Sequence, residues 1–452
     1  MSLFGSSGIR GLANVEVTPL LAQKVGMAIA SQFDGGVVLV GRDTRLSGEM
    51  LESALTSGIV STGFVAGTVG VVPTPVIAWL TREMGAEAGV SITASHNPPE
   101  YNGFKIFDST GMAYTEKQQQ DVEDIIGEQK FSRSAWNRVG RVEKMDVGRV
   151  YIDSIAQRLE FSKAWSVVYD LFNGATSSIA HDIYRDLEID AIIINGQPDG
   201  HFPAGNPEPT QESLTRVGRM VNFTGADIGF GFDGDGDRFI AVDERGNTPS
   251  PDRVLAAYAR HLVEMNGGGT VVTHVGSSMC VEEAVEAVKG NVVRTKVGDV
   301  HITEAMIENG AIFGGEPVGA WIHPDIHMCP DGILSSLKLM VALESEGKTL
   351  SEFLADVPDY PTLRTKVECP DVRKPEAMMG ISSNYEKDFG NVKEVLTIDG
   401  VRISLEDGWI LIRPSGTEPI IRITVEAQDL ERAEDLLETG RRFVGKVLGG
   451  SR

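Results

Sequence analysis

Short runs of apolar, β-branched residues alternate with amphipathic stretches of helical length through most of the chain. The runs at 37–40, 89–93, 165–170, 191–195, 270–273 and 311–313 predict strands. Apolar residues recurring at helical spacing predict helices over 19–33, 48–62, 147–159, 176–187, 252–265, 279–288 and 331–346. Alternation of this kind predicts α/β layers. After Pro361 the order changes, with strands over 365–368, 408–413 and 420–427 preceding a long helix over 430–447. That is the pattern of a smaller α+β module. Polar or Gly/Pro-rich interruptions at 140–146, 243–251 and 357–361 divide the chain into α/β domains over 1–145, 146–248 and 249–357 and a C-terminal α+β domain over 362–452. No sequence repeat links them.

Residues 53–81 carry no charge and include a GxxxG from Gly63 to Gly67. A membrane span needs about 20 predominantly apolar residues in one helix, whereas Pro73 and Pro75 break this stretch and Gly, Ser and Thr dilute it. It predicts a helix, a short strand and a turn. The N-terminus lacks the charged and apolar regions of a signal peptide, and three cysteines without a CxxC argue against a disulfide framework. The chain reads as cytoplasmic, with no membrane partner. The 64 Asp+Glu against 41 Lys+Arg give a net charge of −23, which argues against nucleic acid as a partner. An anionic ligand must then be held by a local cluster of cations. Oligomeric state, monomer or homodimer, is not fixed by any of this.

The sharpest local feature is Asp233-Gly234-Asp235-Gly236-Asp237-Arg238, lying between GFGF and FIAV. Carboxylates at i, i+2 and i+4 of an extended chain project to one side, and the glycines let the backbone curl so that oxygens converge on a hard cation. A site made mostly of aspartates suits Mg²⁺. The EF-hand pattern is partly met, but Arg238 stands where that loop requires glycine and strands flank it. The string Gly229-x-Gly231-x-x-Gly234 matches a dinucleotide fingerprint, yet the residues after it are acidic and strand-like rather than a helix start.

Thr93-Ala94-Ser95-His96-Asn97-Pro98-Pro99 comes directly after an apolar run, which puts Ser95 just past the carboxyl end of a strand, where α/β sheets hold ligands. Asn102-Gly103-Phe104-Lys105 brings a cation into the same loop. An Asx turn with a serine cap accounts for these residues equally well. Arg413-Pro414-Ser415-Gly416-Thr417-Glu418-Pro419, with Arg422 beyond it, offers two hydroxyls, a loosened backbone and two guanidinium groups, the makings of a phosphate nest. Gly314-Gly315-Glu316-Pro317-Val318-Gly319 puts a carboxylate on a glycine-rich loop suited to sugar hydroxyls, or to a tight structural turn. Phe4-Gly5-Ser6-Ser7-Gly8-Ile9-Arg10-Gly11 offers one cation on a flexible opening loop.

Taken together and in this order, the five motifs resemble the α-D-phosphohexomutase superfamily over the whole chain. The resemblance implies four domains, the first three alike, around a central cleft, with the last closing over a hexose phosphate substrate. It implies that Ser95 carries a phosphoryl group and that Asp233, Asp235, Asp237 and an oxygen of that phosphate bind Mg²⁺. Arg10, Lys105, Arg238 and His96 would line the reacting centre. Lys296, in TKVGD, is similar to a lysine proposed for acid/base or substrate contacts. Glu316 would hold sugar hydroxyls, while Arg413, Ser415, Gly416, Thr417 and Arg422 would grip the non-reacting phosphate. The reaction implied passes the phosphoryl of Ser95 to a hexose 6-phosphate, forms a 1,6-bisphosphate and returns the other phosphoryl to the serine.

FGSSGIRG and KVGD look more like the branch acting on glucosamine phosphate than like the phosphomannomutases. The sugar loop departs from the family's Gly-Glu-x-Ser-Gly, often succeeded by His, because Val318 and Ala320 occupy those places. A missing hydroxyl removes one hydrogen bond of the kind that discriminates strongly between substrates. That leaves glucose or mannose phosphate as the alternative, with His323 or His327 as candidates to replace the lost contact.

Overall fold

In a computed structural model of the chain, residues 3–5, 8–416 and 418–449 are described. The chain forms two compact units, residues 1–254 with 312–355 and residues 255–311 with 356–452.

The first unit opens with a seven-stranded sheet. Its strands are β1 (Phe4–Gly5), β2 (Gly8–Leu12), β3 (Val37–Arg42), β4 (Val65–Val71), β5 (Ala88–Ile92), β6 (Tyr101–Asp108) and β7 (Val142–Lys144), in the order β1-β2-β6-β5-β3-β4-β7. The central strands β3 and β5 are parallel and almost wholly apolar, as strands covered on both faces must be. Leu51, Leu55 and Ile59 of the helix Gly48–Ser61 pack into one buried cluster with Val38, Val40 and Val90. Arg42 pairs with Ile92, so the segments leaving β3 and β5 emerge side by side at the carboxyl edge. The uncharged stretch becomes the end of one helix, strand β4 and the helix Thr74–Glu83. Among the described residues no helix is long and apolar enough to cross a membrane.

Strand β6 corrects two expectations. It pairs antiparallel with β5 and with β2, so Lys105 stands on a strand rather than in a loop, and Arg10 on a paired strand rather than a flexible opening. Neither GIRGL nor YNGFK carries a strong local strand pattern. Pairing across about ninety residues of sequence supplies their structure, which local periodicity does not report.

A second sheet contains β8 (Ser166–Asp170), β9 (Asp190–Ile194), β10 (Ile228–Phe232) and β11 (Phe239–Val242), in the order β11-β10-β8-β9. The hairpin β10–β11 carries the Asp-rich loop at its tip. The single helix expected over 176–187 is a 3₁₀ turn, Ala175–Ser178, and then a short helix, Ala180–Asp186. Ser177 and Ser178 donate back to the carbonyls of Gly174 and Ala175, competing with helical bonding there. Strands β12 (Gly269–His274) and β13 (Gly290–Thr295) pair in parallel in the second unit. The run expected at 311–313 is shifted to β14 (Phe313–Gly315), which pairs antiparallel with β15 (Trp321–Ile322) in the first.

The C-terminal sheet contains β16 (Thr362–Glu368), β17 (Glu394–Leu396), β18 (Val401–Ser404), β19 (Gly408–Pro414) and β20 (Ile420–Ala427), antiparallel throughout in the order β16-β20-β19-β18-β17. Ile410, Ile412, Ile421, Ile423 and Val425 share one buried cluster with Leu436, Phe443 and Val444 of the last helix, Leu430–Gly449. Period-two alternation gives the opposite face a mixed character, with Trp409 and Leu411 buried against Val275 and Arg413, Arg422 and Lys366 further along. Helices Glu116–Glu128, Thr215–Thr224, Asp299–Asn309 and Lys374–Asn384 stand where the pattern predicts none. The first had a readable start in the capping box of Thr115 and Gln118.

Candidate active site

Ser95 lies just beyond β5 with φ +51°, a left-handed conformation that costs a non-glycine residue free energy and needs outside support. Arg45 supplies it. Its guanidinium donates to the carbonyls of Ser95 (2.8 Å), Asn97 (2.7 Å), Pro98 (2.6 Å) and Tyr101 (2.9 Å), and its Nε pairs with Asp43 at 2.9 Å. Thr93 Oγ1 accepts from the Ser95 amide at 2.8 Å and donates to Asp43 at 2.7 Å. Sequence reading passed over Asp43 and Arg45 and gave Thr93, the first residue of the serine motif, no role. The available signal was Arg42-Asp43-Thr44-Arg45, a charged run at the carboxyl end of an apolar strand, of which Asp43 and Arg45 are wholly buried.

The Asp-rich loop converges on the same serine. Ser95 Oγ donates to Asp233 Oδ2 at 2.7 Å. Asp235 Oδ2 accepts from Thr74 Oγ1 at 2.6 Å and Lys105 Nζ at 2.8 Å, and Lys105 also pairs with Asp237. The three carboxylates are buried, with ligand oxygens all within 4.8 Å of one another. They converge through a turn, not through the alternation of an extended strand as expected. The amides of Gly236 (3.0 Å) and Arg238 (3.2 Å) both donate to Asp233 Oδ1, and Gly236, at φ +75°, makes the turn possible.

The trio has the donor set a hard divalent cation requires. Oδ1 of Asp235 and Oδ1 of Asp237 are buried and make no hydrogen bond, and a bare buried acceptor costs about 1–3 kcal/mol. Burial first, then the charges of Asp235 and Asp237, push the Asp233 carboxyl well above its ordinary range. Burial acts the same way on Asp235, but Lys105 and hydrogen bonds from Asp233, Lys105 and Thr74 outweigh it and hold that carboxyl below the usual range. Lys105 is likewise held charged, because Asp235, Asp237 and Asp233 together overcome its desolvation. Oxygen-only ligation with carboxylates close together is the chemistry of Mg²⁺ or a similar ion.

Further cations belong to the same cluster. Arg10 Nη1 donates to Asn97 Oδ1 at 2.9 Å. Arg238 Nε lies 3.9 Å from Asp237 Oδ1, and Asp237, Asp233 and Glu316 raise its basicity against the cost of burial. His96 Nδ1 is 3.2 Å from Ser95 Oγ, and burial, with the charges of Arg238 and Arg10, lowers its pKa to about 3, so the imidazole is neutral at neutral pH. Glu316 is buried on the turn between β14 and β15. That turn is locked to the Asp hairpin: Phe239 donates to the carbonyl of Gly319 at 3.3 Å, and a Cβ at Gly319 would lie 1.7 Å from the Phe239 oxygen. Val318 on the same turn is 41% exposed. The two histidines proposed to replace its missing hydroxyl are core residues instead. His323 Nε2 is 3.0 Å from Ser335 Oγ, and His327 Nε2 is 3.0 Å from Asp331, which caps the helix Gly332–Glu346.

The remaining site residues belong to the second unit. Arg413, Ser415, Gly416 and Arg422 line a groove of about 800 Å³ together with His274, Val297, Arg364 and Lys366. Thr417 lies outside the described residues. Arg413 pairs with Asp399 (2.8 Å), which also accepts from the amide of Val297 (3.1 Å), the residue after Lys296. Lys374, missed from sequence, holds the loop from behind. Its buried ammonium donates to the carbonyls of Ser415 and Glu418 (2.6 Å) and pairs with Asp371 (2.6 Å). The only sequence signal was a lysine beside the helix-starting Pro375, which does not distinguish a clamp from a surface residue.

Profiles of four phosphoglucomutase/phosphomannomutase domains match the chain in order: α/β/α domain I over 1–133, II over 149–246, III over 250–360 and the C-terminal domain over 365–442. The chain belongs to the phosphoglucomutase/phosphomannomutase family of the α-D-phosphohexomutase superfamily. Within it, the chain is 44% identical to the probable phosphoglucosamine mutase of Methanothermobacter thermautotrophicus, over 99% of this chain and 98% of that one. It is 42% identical to the phosphoglucosamine mutase of Methanocaldococcus jannaschii, over 99% of both chains. A solved phosphoglucomutase/phosphomannomutase family protein from Burkholderia thailandensis superposes with a TM-score of 0.89 at 28% identity, covering 100% of this chain and 98% of that one.

Proposed function

We propose that this enzyme interconverts glucosamine 6-phosphate and glucosamine 1-phosphate through phosphorylated Ser95 and a 1,6-bisphosphate. The observation that carries the reading is the 2.7 Å contact of Ser95 Oγ with Asp233 inside the carboxylate cluster. Asp233, Asp235, Asp237 and an oxygen on Ser95 would hold Mg²⁺, which would neutralise charge on the phosphoryl oxygens. In the first transfer the P–Oγ bond of Ser95 breaks, a bond forms from phosphorus to a sugar hydroxyl oxygen, and the hydroxyl proton ends on Ser95 Oγ. The second transfer is the reverse with the other phosphate. Lys105, Arg10 and Arg238 supply positive charge around the moving group, and neutral His96 contacts the serine oxygen without adding to that charge.

Glu316 orients sugar hydroxyls, and Lys296 contributes a substrate contact. Arg413, Ser415, Gly416, Thr417 and Arg422 grip the phosphate that is not reacting. The functional division runs along the four stretches 1–145, 146–248, 249–357 and 362–452. A cytoplasmic location belongs to the same reading, supported by buried free thiols at Cys280, Cys329 and Cys369. Val318 and Ala320 depart from the family's sugar loop and so keep a second reading open, phosphoglucomutase or phosphomannomutase. A coupled assay on glucosamine 6-phosphate, glucose 1-phosphate and mannose 1-phosphate, with and without Mg²⁺, separates the two. Preference for the aminosugar is expected, and equal turnover on all three rejects it. Ser95→Ala is expected to lose roughly 10⁴-fold or more in kcat with the fold intact; retained turnover rejects the phosphoserine.

A further inference from the structure

The groove of the second unit is larger than one phosphate requires, and its charge continues beyond the loop at 413–422. In the C-terminal sheet Arg413 on β19 lies opposite Arg422 on β20, and Arg422 lies opposite Lys366 on β16. One step along, Leu411, Thr424 and Arg364 form the next row. Period-two alternation therefore puts Arg413, Arg422, Lys366 and Arg364 on a single face, away from the Ile410–Ile421–Ile423 core, and all four line the groove.

Like charges directly opposite each other destabilise an antiparallel pair. A chain with a net charge of −23 has acids enough to neutralise every one of them, yet only two have such partners among the described residues. Arg413 is paired with Asp399 and Arg422 with Glu418 at 2.8 Å. The side chains of Arg364 and Lys366 are exposed and make no ion pair or hydrogen bond among the described residues. A sheet face that keeps two unneutralised cations beside a phosphate loop is arranged for a second anion.

Resting on the reading of 413–422 as the phosphate grip, we propose that Arg364 and Lys366 form an adjoining phosphate subsite. The groove then takes sugar ligands that carry two phosphate groups in preference to monophosphates. The ligand class includes the 1,6-bisphosphate of the reaction, which a second hold retains between the two transfers, and diphosphate-linked nucleotide sugars.

The test is calorimetric titration of the full-length protein with glucosamine 6-phosphate, with glucose 1,6-bisphosphate and with a uridine diphosphate sugar. Wild type is compared with Arg364→Gln/Lys366→Gln and with Arg422→Gln, with circular dichroism to verify folding. The double variant is expected to weaken the bisphosphate about tenfold and the monophosphate less than about twofold, the loss of charge-assisted contacts to one phosphate only. A parallel loss for the nucleotide sugar adds diphosphate-linked ligands as occupants; its absence leaves the bisphosphate as the occupant. Equal weakening of mono- and bisphosphate, or none, overturns the subsite while leaving the grip standing. Unchanged monophosphate binding in Arg422→Gln overturns the grip itself.

Discussion

Lys105 and Lys366 both stand on strands, one beside the Asp-rich loop and one in the groove of the second unit, but their surroundings are opposite. Lys105 is buried, holds Asp235 and Asp237, and belongs to a network in which Arg45, Asp43 and Thr93 fix the backbone of Ser95. Lys366 is exposed on an open sheet face beside Arg422, with no charged partner among the described residues. At Ser95 opposite charges are already interlocked, so geometry is set before any substrate arrives and little reorganisation is left for the reaction step. In the groove the counter-charge has to come with the ligand. The first construction suits chemistry and the second suits capture, and substitutions in the two regions should fall on different kinetic constants.

Asp235→Asn tests the buried side most severely. It removes the charge that Lys105 and Thr74 both address. We expect kcat to fall roughly 10³-fold, the scale of losing one preorganised electrostatic contact, with KM changed only a few-fold. Steady-state kinetics at saturating Mg²⁺ checks this; a change confined to KM would contradict it. Lys374→Met tests the open side. Without the ammonium behind them the carbonyls of Ser415 and Glu418 lose their anchor, and KM should rise about tenfold with kcat nearly constant, as for lost uniform binding. The comparison breaks down if kcat falls instead.

A third expected effect is a pH dependence of stability. Burial, then Arg294 and Arg413, push the His274 imidazole down to about 3 from its ordinary 6.5, and its Nδ1 accepts from the Gly276 amide at 2.9 Å. The folded chain therefore binds fewer protons here than the unfolded chain. The contribution to stability is complete above pH 6.5 and is lost as pH falls toward 3, at no more than about 1.4 kcal/mol per pH unit. His274→Gln should flatten the acid limb of unfolding free energy against pH, measured by denaturant titration from about pH 7 to about pH 4. An unchanged slope means His274 is not held neutral.

The α/β alternation and the five candidate motifs, with Ser95, the three aspartates and the Arg413 loop among them, were legible in the sequence alone. Local rules govern them: a period fixes a strand or helix, and a dense cluster of carboxylates or hydroxyls in a loop has few other uses. Strand β6, the paired state of Arg10, and the work of Arg45, Asp43 and Lys374 were decided only by tertiary structure. Lys105 reaches the aspartates because a strand about 130 residues upstream runs past their loop, and a lone lysine or arginine carries no local mark of the carbonyl it holds. The cation row on β16, β20 and β19 depends on strand register, which hydrogen bonding between distant segments sets and no single segment encodes.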